Sequence, residues 1–220
     1  MLGIVFVGYG EIVYEGQPSL DAVMYFERKA MGGAATITCG EVVVDPDEFT
    51  EGRWPREITK RSNYNYPRLA SAITRHGAVA VIELQFTGIE SRARGAKRDD
   101  PAWGPVDMVR PNGGKVVAMT EERFAEVIEG FGVAAKAAKG AGFGMVCVHG
   151  AHEWGLMQFM SPSFNTRTDR WGAALKTVAD SQSWRSMRYT GSAEGISLWK
   201  SVSTEQKSQK EDMEAKKAYA

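Results

Sequence analysis

The sequence predicts an α/β fold with a parallel sheet and helices packed outside it. Three observations carry this. Short apolar runs with β-branched members alternate with longer stretches of helical period. Glycine and proline punctuate the boundaries between them. The resulting order is βαβαβαβ, and repeated strand–helix units imply strands that run parallel.

Each element has a local reason. Gly3–Val7 is a short apolar run that reads as a buried strand, ended by Gly8 and Gly10. Pro18 and Ser19 suit a helix start, and the helix should run to about Ala30, closed by Gly32 and Gly33. Ala35–Cys39 reads as the second strand, with an irregular region around Val44–Trp54. Pro67–His76 reads as the second helix, with Gly77 as its C-terminal cap. Val79–Leu84 is the third strand, and Gly88–Met119 is a long charged loop. Thr120 can cap a third helix, in which Phe124, Val127, Ile128, Phe131 and Ala135 share one face. Gly140 and Gly142 end that helix, and Gly144–His149 is the fourth strand. Four strands are half of an eight-stranded barrel, which takes roughly 250 residues. An open parallel sheet satisfies the same periodicity.

Composition excludes several classes. The 220 residues are 43% apolar, ample for a core, and the formal net charge is zero. Nucleic acid and anionic membranes both favour a basic excess, so neither is expected as a partner. Cys39 and Cys147 each sit in a β-like run, which points to reduced thiols rather than a disulfide scaffold. No apolar stretch reaches the ~20 residues of a membrane span. The N-terminal MLGIVFVGYGEIVYEG lacks a basic region and meets Glu11 early, so it reads as a strand and not a signal peptide. A soluble cytoplasmic chain is expected, with its oligomeric state open.

The most informative segment is Val146–Gly172, VCVHGAHEWGLMQFMSPSFNTRTDRWG. A strand ends in two histidines three apart, His149 and His152, and a polar, turn-rich stretch follows. Barrels of the α/β type present their chemistry this way, at the C-terminal ends of their strands. The string resembles the Old Yellow Enzyme family of flavin-dependent NAD(P)H oxidoreductases, in its HGAH, QF-x-SP and N-x-RTD-x-[YW]-G elements. Weaker similarities extend the match over roughly residues 20–172: YFERKAMGG at Tyr25–Gly33, EVVVDP at Glu41–Pro46, VAVIELQFTG at Val79–Gly88, and AMT at Ala118–Thr120. The nearest branch is that of dienoyl-CoA and bile-acid-type reductases.

The resemblance favours the barrel over the open sheet, and implies the N-terminal half of a TIM (β/α)8 barrel, incomplete as given. It implies an ene-reductase type of FMN-dependent NAD(P)H oxidoreductase, taking a small-molecule acceptor such as an activated alkene. An iron–sulfur cluster, where members of that branch carry one, would belong to segments beyond this match. The expected catalytic residues are His149, His152 and Trp154, and the expected cofactor contacts are Glu83 and Glu41. Two donors on an acceptor oxygen would stabilise the negative charge that develops there. Two positions depart from the family. Glu83 stands where a flavin-contacting Gln is usual, and a carboxylate accepts but does not donate unless protonated. Trp154 stands where a proton-donating Tyr is frequent, and an indole N–H is no practical acid.

Competing readings exist. Cys147, His149 and His152 are also potential metal ligands, but no second Cys/His cluster supports them, so no metal is expected. Arg167 and Asp169 read better as a structural ion pair than as a functional one. Glu83 and Gln85 share one strand face, where a core hydrogen-bonding role competes with flavin contact. A flavin-free half-barrel acting as an interaction module through uncovered strand edges is the non-enzymatic alternative.

The resemblance stops at Gly172. The family continues GGSLENR, whereas this chain reads GAALKTVADSQSWRSMRYTGSAEG. Taking the last base of each codon with the first two of the next restores the pattern. Leu175 with Lys176 can then encode Glu, Lys176 with Thr177 Asn, and Thr177 with Val178 Arg. Continued, the shifted frame allows LENRCRFPIMAVDAIHRKCG across Ala174–Gly195. A one-base deletion near codons 172–173 accounts for this. Residues 1–172 are then the partial barrel, and 173–220 an irregular tail read out of frame. On this reading the truncated chain should be inactive.

Overall fold

In the computed structural model the described residues are 13–14, 17–45, 64–91, 101–111, 113–172 and 197–201. The first elements are a two-residue ladder, β1 (Val13–Tyr14) with β2 (Gln17–Pro18), running antiparallel. Helix α1 (Leu20–Met31) follows, where Ser19 accepts the Ala22 N–H and so satisfies one of the donors that a helix start leaves free. Strand β3 (Thr36–Val43) is longer than the sequence suggests. It continues through Gly40 and Glu41 because its pairing register shifts there, between Cys39 and Val42. Helix α2 (Asn65–Thr74) begins two residues before Pro67, which the first turn tolerates because that N–H would lack a helical partner anyway. Strand β4 (Val79–Gln85) follows.

Between β4 and the third long helix the sequence suggests only a loop. The structure builds a three-stranded sheet there, from β5 (Ala102–Gly104), β6 (Met108–Val109) and β7 (Lys115–Ala118), in the order β5-β7-β6. Its strands are two to four residues long, too short for alternation to show in the sequence. Helix α3 (Glu121–Gly140) is capped by Thr120, whose hydroxyl accepts the Arg123 N–H. Strand β8 (Met145–His149), a short helix α4 (Gly155–Met160) and strand β9 (Ser197–Ser201) complete the order.

The main sheet runs β3-β4-β8-β9 with every neighbouring pair parallel. This is an incomplete α/β barrel, and the described residues contain no closed one. The expected strand at Gly3–Val7 lies outside the described residues, as do the irregular region around Val44–Trp54 beyond Asp45 and the tail at 173–196 and 202–220. The irregular tail is corrected at Ser197–Ser201, which pair in register with Met145–His149. The open edge of β8 presents unpaired backbone N–H and C=O groups, which this segment satisfies.

Alternation gives the sheet two unlike faces. Ile37, Cys39, Val42, Ala80, Ile82, Leu84 and Val146 belong to one buried cluster with residues of α1, α2 and α3. Thr38, Val81, Glu83, Gln85, Cys147 and His149 fall on the opposite side of the same strands and are also buried. Near the end of β3, Arg123 of α3 makes a buried ion pair with Asp45. Arg123 also pairs with Glu126 at 2.8 Å.

Candidate active site

Strand β8 delivers His149 at its last residue, 7% exposed. The chain then turns sharply. His152 and Glu153 both hold φ of 56°, a left-handed conformation that costs a side-chain-bearing residue energy. The turn folds His152 back over His149. His152 Nδ1 lies 3.2 Å from His149 Nε2, and the rings stack with centroids 5.0 Å apart. Trp154 closes the third side, 4.7 Å from the His149 ring and 6.0 Å from the His152 ring. All three expected catalytic side chains therefore meet.

The turn is held from behind by Gln158, a residue the sequence reading passed over. Its Nε2 donates to Glu153 O at 2.6 Å and to Thr87 O at 3.2 Å, and its Oε1 accepts Ile89 N–H at 2.9 Å. One fully buried amide thus ties the strained turn to the segment after β4. Gly88, at φ +67°, lies directly against that amide, and a Cβ there would collide with Gln158 Oε1. The signal in the sequence is the Gln of the QF-x-SP string, but its partners come from another strand end.

Glu83 stands beside Cys147 in the β4–β8 register. Its Oε1 is 3.2 Å from His149 Nδ1, and its Oε2 is 4.0 Å from Cys147 Sγ. A Cβ on Gly40 of β3 would lie 2.9 Å from the Glu83 Cβ, so Gly40 makes the room the carboxylate occupies. Glu83 is 6% exposed and Gln85 2% exposed. Two buried acceptors here, Glu83 Oε1 and Gln85 Oε1, carry no aligned hydrogen bond. The histidine approach to Glu83 is close but oblique. The expected contact at Glu41 is in the register shift of β3, and its side chain lies outside the described ones. Among the described residues no group of three or more His, Cys, Asp or Glu side chains could hold a metal ion.

The loop after α4 is structural. Asn165 Nδ2 donates to Phe159 O at 2.8 Å and to Trp171 O at 2.7 Å. Arg167 pairs with Asp169 and donates to Pro105 O at 3.0 Å and Met119 O at 3.1 Å. Trp171 stacks on Phe124, centroids 3.8 Å apart, and donates to Glu121 at 2.9 Å. The Arg167 hydrogen bonds hold the Asp169 carboxyl below the usual carboxylate range. The N-x-RTD-x-W string is thus a clamp between the loop and the start of α3.

A family model matches residues 12–177, that of the NADH:flavin oxidoreductase / NADH oxidase family. The chain belongs to this family. It is 37% identical over 150 residues to a probable NADH-dependent flavin oxidoreductase, YqiG, of Bacillus subtilis, covering 66% of this chain and 38% of that protein. It is 33% identical over 158 residues to an NADPH dehydrogenase of Halalkalibacterium halodurans, covering 70% of this chain and 44% of that one. The chain therefore spans less than half the length of these relatives. The solved structure of morphinone reductase in complex with tetrahydroNAD superposes with a TM-score of 0.68 at 18% identity, over 86% of this chain and 58% of that one. That likeness concerns the fold, and it agrees with an incomplete barrel of the Old Yellow Enzyme kind.

The family's flavin can be tested against the residues present. The pyrimidine edge of a flavin presents an imide N–H between two carbonyls. Two buried acceptors without aligned donors, Glu83 Oε1 and Gln85 Oε1, suit that N–H. The two acceptors fit that edge of the group.

Proposed function

We propose that this chain carries the acceptor-binding part of an FMN-dependent NAD(P)H oxidoreductase of the ene-reductase type. The observation that carries the reading is the meeting of His149, His152 and Trp154 at the end of β8, over Glu83 and Gln85. Bound FMN would supply the redox chemistry between the nicotinamide and the acceptor. Glu83 and Gln85 would hold its imide edge. His149 and His152 would grip the acceptor oxygen and stabilise the charge that develops on it. Trp154 would wall the site and donate one N–H, leaving the final proton to come from elsewhere. Activated alkenes, and related carbonyl, nitro or quinone acceptors, present the oxygen such a grip requires.

The out-of-frame reading of 173–220 belongs to this proposal. Sequencing the locus across codons 165–180 tests it directly, and an unbroken frame as written would reject it. The functional test is a flavin titration on the 220-residue chain and on a frame-restored protein, with NAD(P)H oxidation by an activated enone as the second readout. The frame-restored protein should take up FMN and turn over, and the 220-residue chain should not. A frame-restored protein that shows no flavin spectrum after FMN is added would defeat the reading.

A further inference from the structure

The turn that carries His152 is held from outside itself. His152 and Glu153 both stand at φ 56°, a conformation that residues with a Cβ keep only where the surroundings over-determine it. Both side chains are exposed, so burial contributes little to holding them there. The hold comes from α4. The Glu153 N–H donates to Met157 Sδ at 3.3 Å, and a thioether is a weak acceptor. The Glu153 carbonyl accepts from Gln158 Nε2 at 2.6 Å, the shorter and stronger contact.

The Gln158 amide has one orientation open to it. Its two N–H protons go to two carbonyls, Glu153 O and Thr87 O, and its oxygen takes the Ile89 N–H. Turned over, it would set an oxygen against two carbonyls and an NH₂ group against an N–H. The side chain is fully buried, so water does not compete for these bonds. What lies behind it is stiff. The Gly155 N–H donates to Phe86 O at 2.9 Å, and a Cβ on Gly155 would lie 2.7 Å from that same oxygen. The start of α4 and the segment after β4 therefore meet backbone to backbone, and Gln158 spans the junction. One side of it leads to the strand of Glu83 and Gln85, the other to His152.

We propose that Gln158 is the positioning residue of the acceptor site. Its amide holds the left-handed turn at His152 and Glu153, and so keeps His152 stacked over His149 and fixed relative to the end of β4. It touches neither acceptor nor flavin and acts through His152 alone. An acceptor then meets a grip that is already built, and no binding energy is spent on ordering the turn. This deepens the functional reading above and rests on it for the word acceptor. The hold on the turn does not rest on it.

The test begins with NMR on the full chain, without added flavin. In the native protein the His152 ring should show nuclear Overhauser contacts to His149, and the Gln158 amide protons should exchange with solvent far more slowly than those of exposed glutamines. Gln158→Leu keeps the bulk and removes all three hydrogen bonds. It should lose the His152–His149 contact and keep the one between Trp171 and Phe124, which marks a folded core. Asn165→Ala, which weakens the fold elsewhere, should keep the histidine contact. Its loss there as well would trace the contact to general loosening and overturn the proposal. So would an intact contact in a folded Gln158→Leu protein. Fast exchange of the native Gln158 amide overturns it even if the leucine variant does not fold. In the frame-restored, flavin-loaded protein Gln158→Leu should leave FMN uptake intact and lower kcat on an activated enone by on the order of 10²-fold, the scale for a group displaced by about 1 Å. An unchanged kcat at full flavin loading counts against the proposal too. A parent protein that takes up no flavin defeats the functional reading instead, and the NMR result stands apart from it.

Discussion

On one face of the main sheet, Ile37, Cys39, Ile82, Leu84 and Val146 lie under three helices. On the other, Thr38, Glu83, Gln85, Cys147 and His149 alternate with them along the same strands. The two faces are equally dry and chemically opposite. The helix side is satisfied by contact alone, because apolar atoms need only be surrounded. The far side holds donors and acceptors in positions where some remain without aligned partners, a cost that a purely structural interior avoids. The two cysteines make the contrast compact. Cys39 sits among aliphatic side chains, and burial pushes its thiol well up, so it behaves as a small hydrophobe. Cys147, equally buried, faces a carboxylate.

The contrast breaks most visibly on the helix side. Ile82→Ala should cost about 2–5 kcal/mol of stability, since the side chain is almost fully buried within the main cluster. Chemical denaturation measures this, and a loss under ~1 kcal/mol would show that the sheet is not packed as described. On the polar side the expected effect moves from stability to function. His152→Ala should leave the denaturation midpoint nearly unchanged, because the side chain is exposed. In a flavin-loaded protein it should lower turnover on an activated enone by about 10²-fold, the scale for one lost donor at a developing oxyanion. An unchanged rate would remove His152 from the site.

Asn165→Ala tests the loop after α4. It removes two hydrogen bonds to carbonyls from a buried side chain and should cost about 1–3 kcal/mol. Thermal unfolding against Asn165→Asp, which cannot donate to both carbonyls, would separate lost bonds from lost volume. The smallest effect belongs to Asp169. Its folded carboxyl is depressed by Arg167. The stability it adds is therefore present above its unfolded value near ~3.9 and is lost as the pH falls through the lower folded value. The Asp169 side chain is nearly half exposed, so the contribution should stay below ~1 kcal/mol. Asp169→Asn should lower stability by that small amount near neutrality and flatten the fall in stability below about pH 4.

Much of this was legible in the chain. Ser19 and Thr120 announce their helices because capping is a matter of a few adjacent atoms. The alternation Ala80-Val81-Ile82-Glu83-Leu84-Gln85 already separates the two faces. The HGAH string places two imidazoles at a strand end, and Arg167 with Asp169 reads as a structural ion pair. The small sheet at Ala102–Ala118 was illegible for the opposite reason. Its strands are too short for a period, and its pairing is settled by neighbours in space.

By itself, then, the sequence determined the order of the long strands and helices, the caps, the shared faces of Glu83 with Gln85 and of Cys147 with His149, and the break in pattern after Gly172. Only the tertiary structure decided what those polar groups meet. Glu83 reaches His149 because β4 and β8 pair at a register that sets Glu83 beside Cys147. Gln158 reaches Thr87 and Ile89 because α4 lands on the turn after β4. The reason is physical. Period and capping act over one turn or one pleat, within reach of residues adjacent in the chain. Register between parallel strands is fixed by packing across a whole helical crossover.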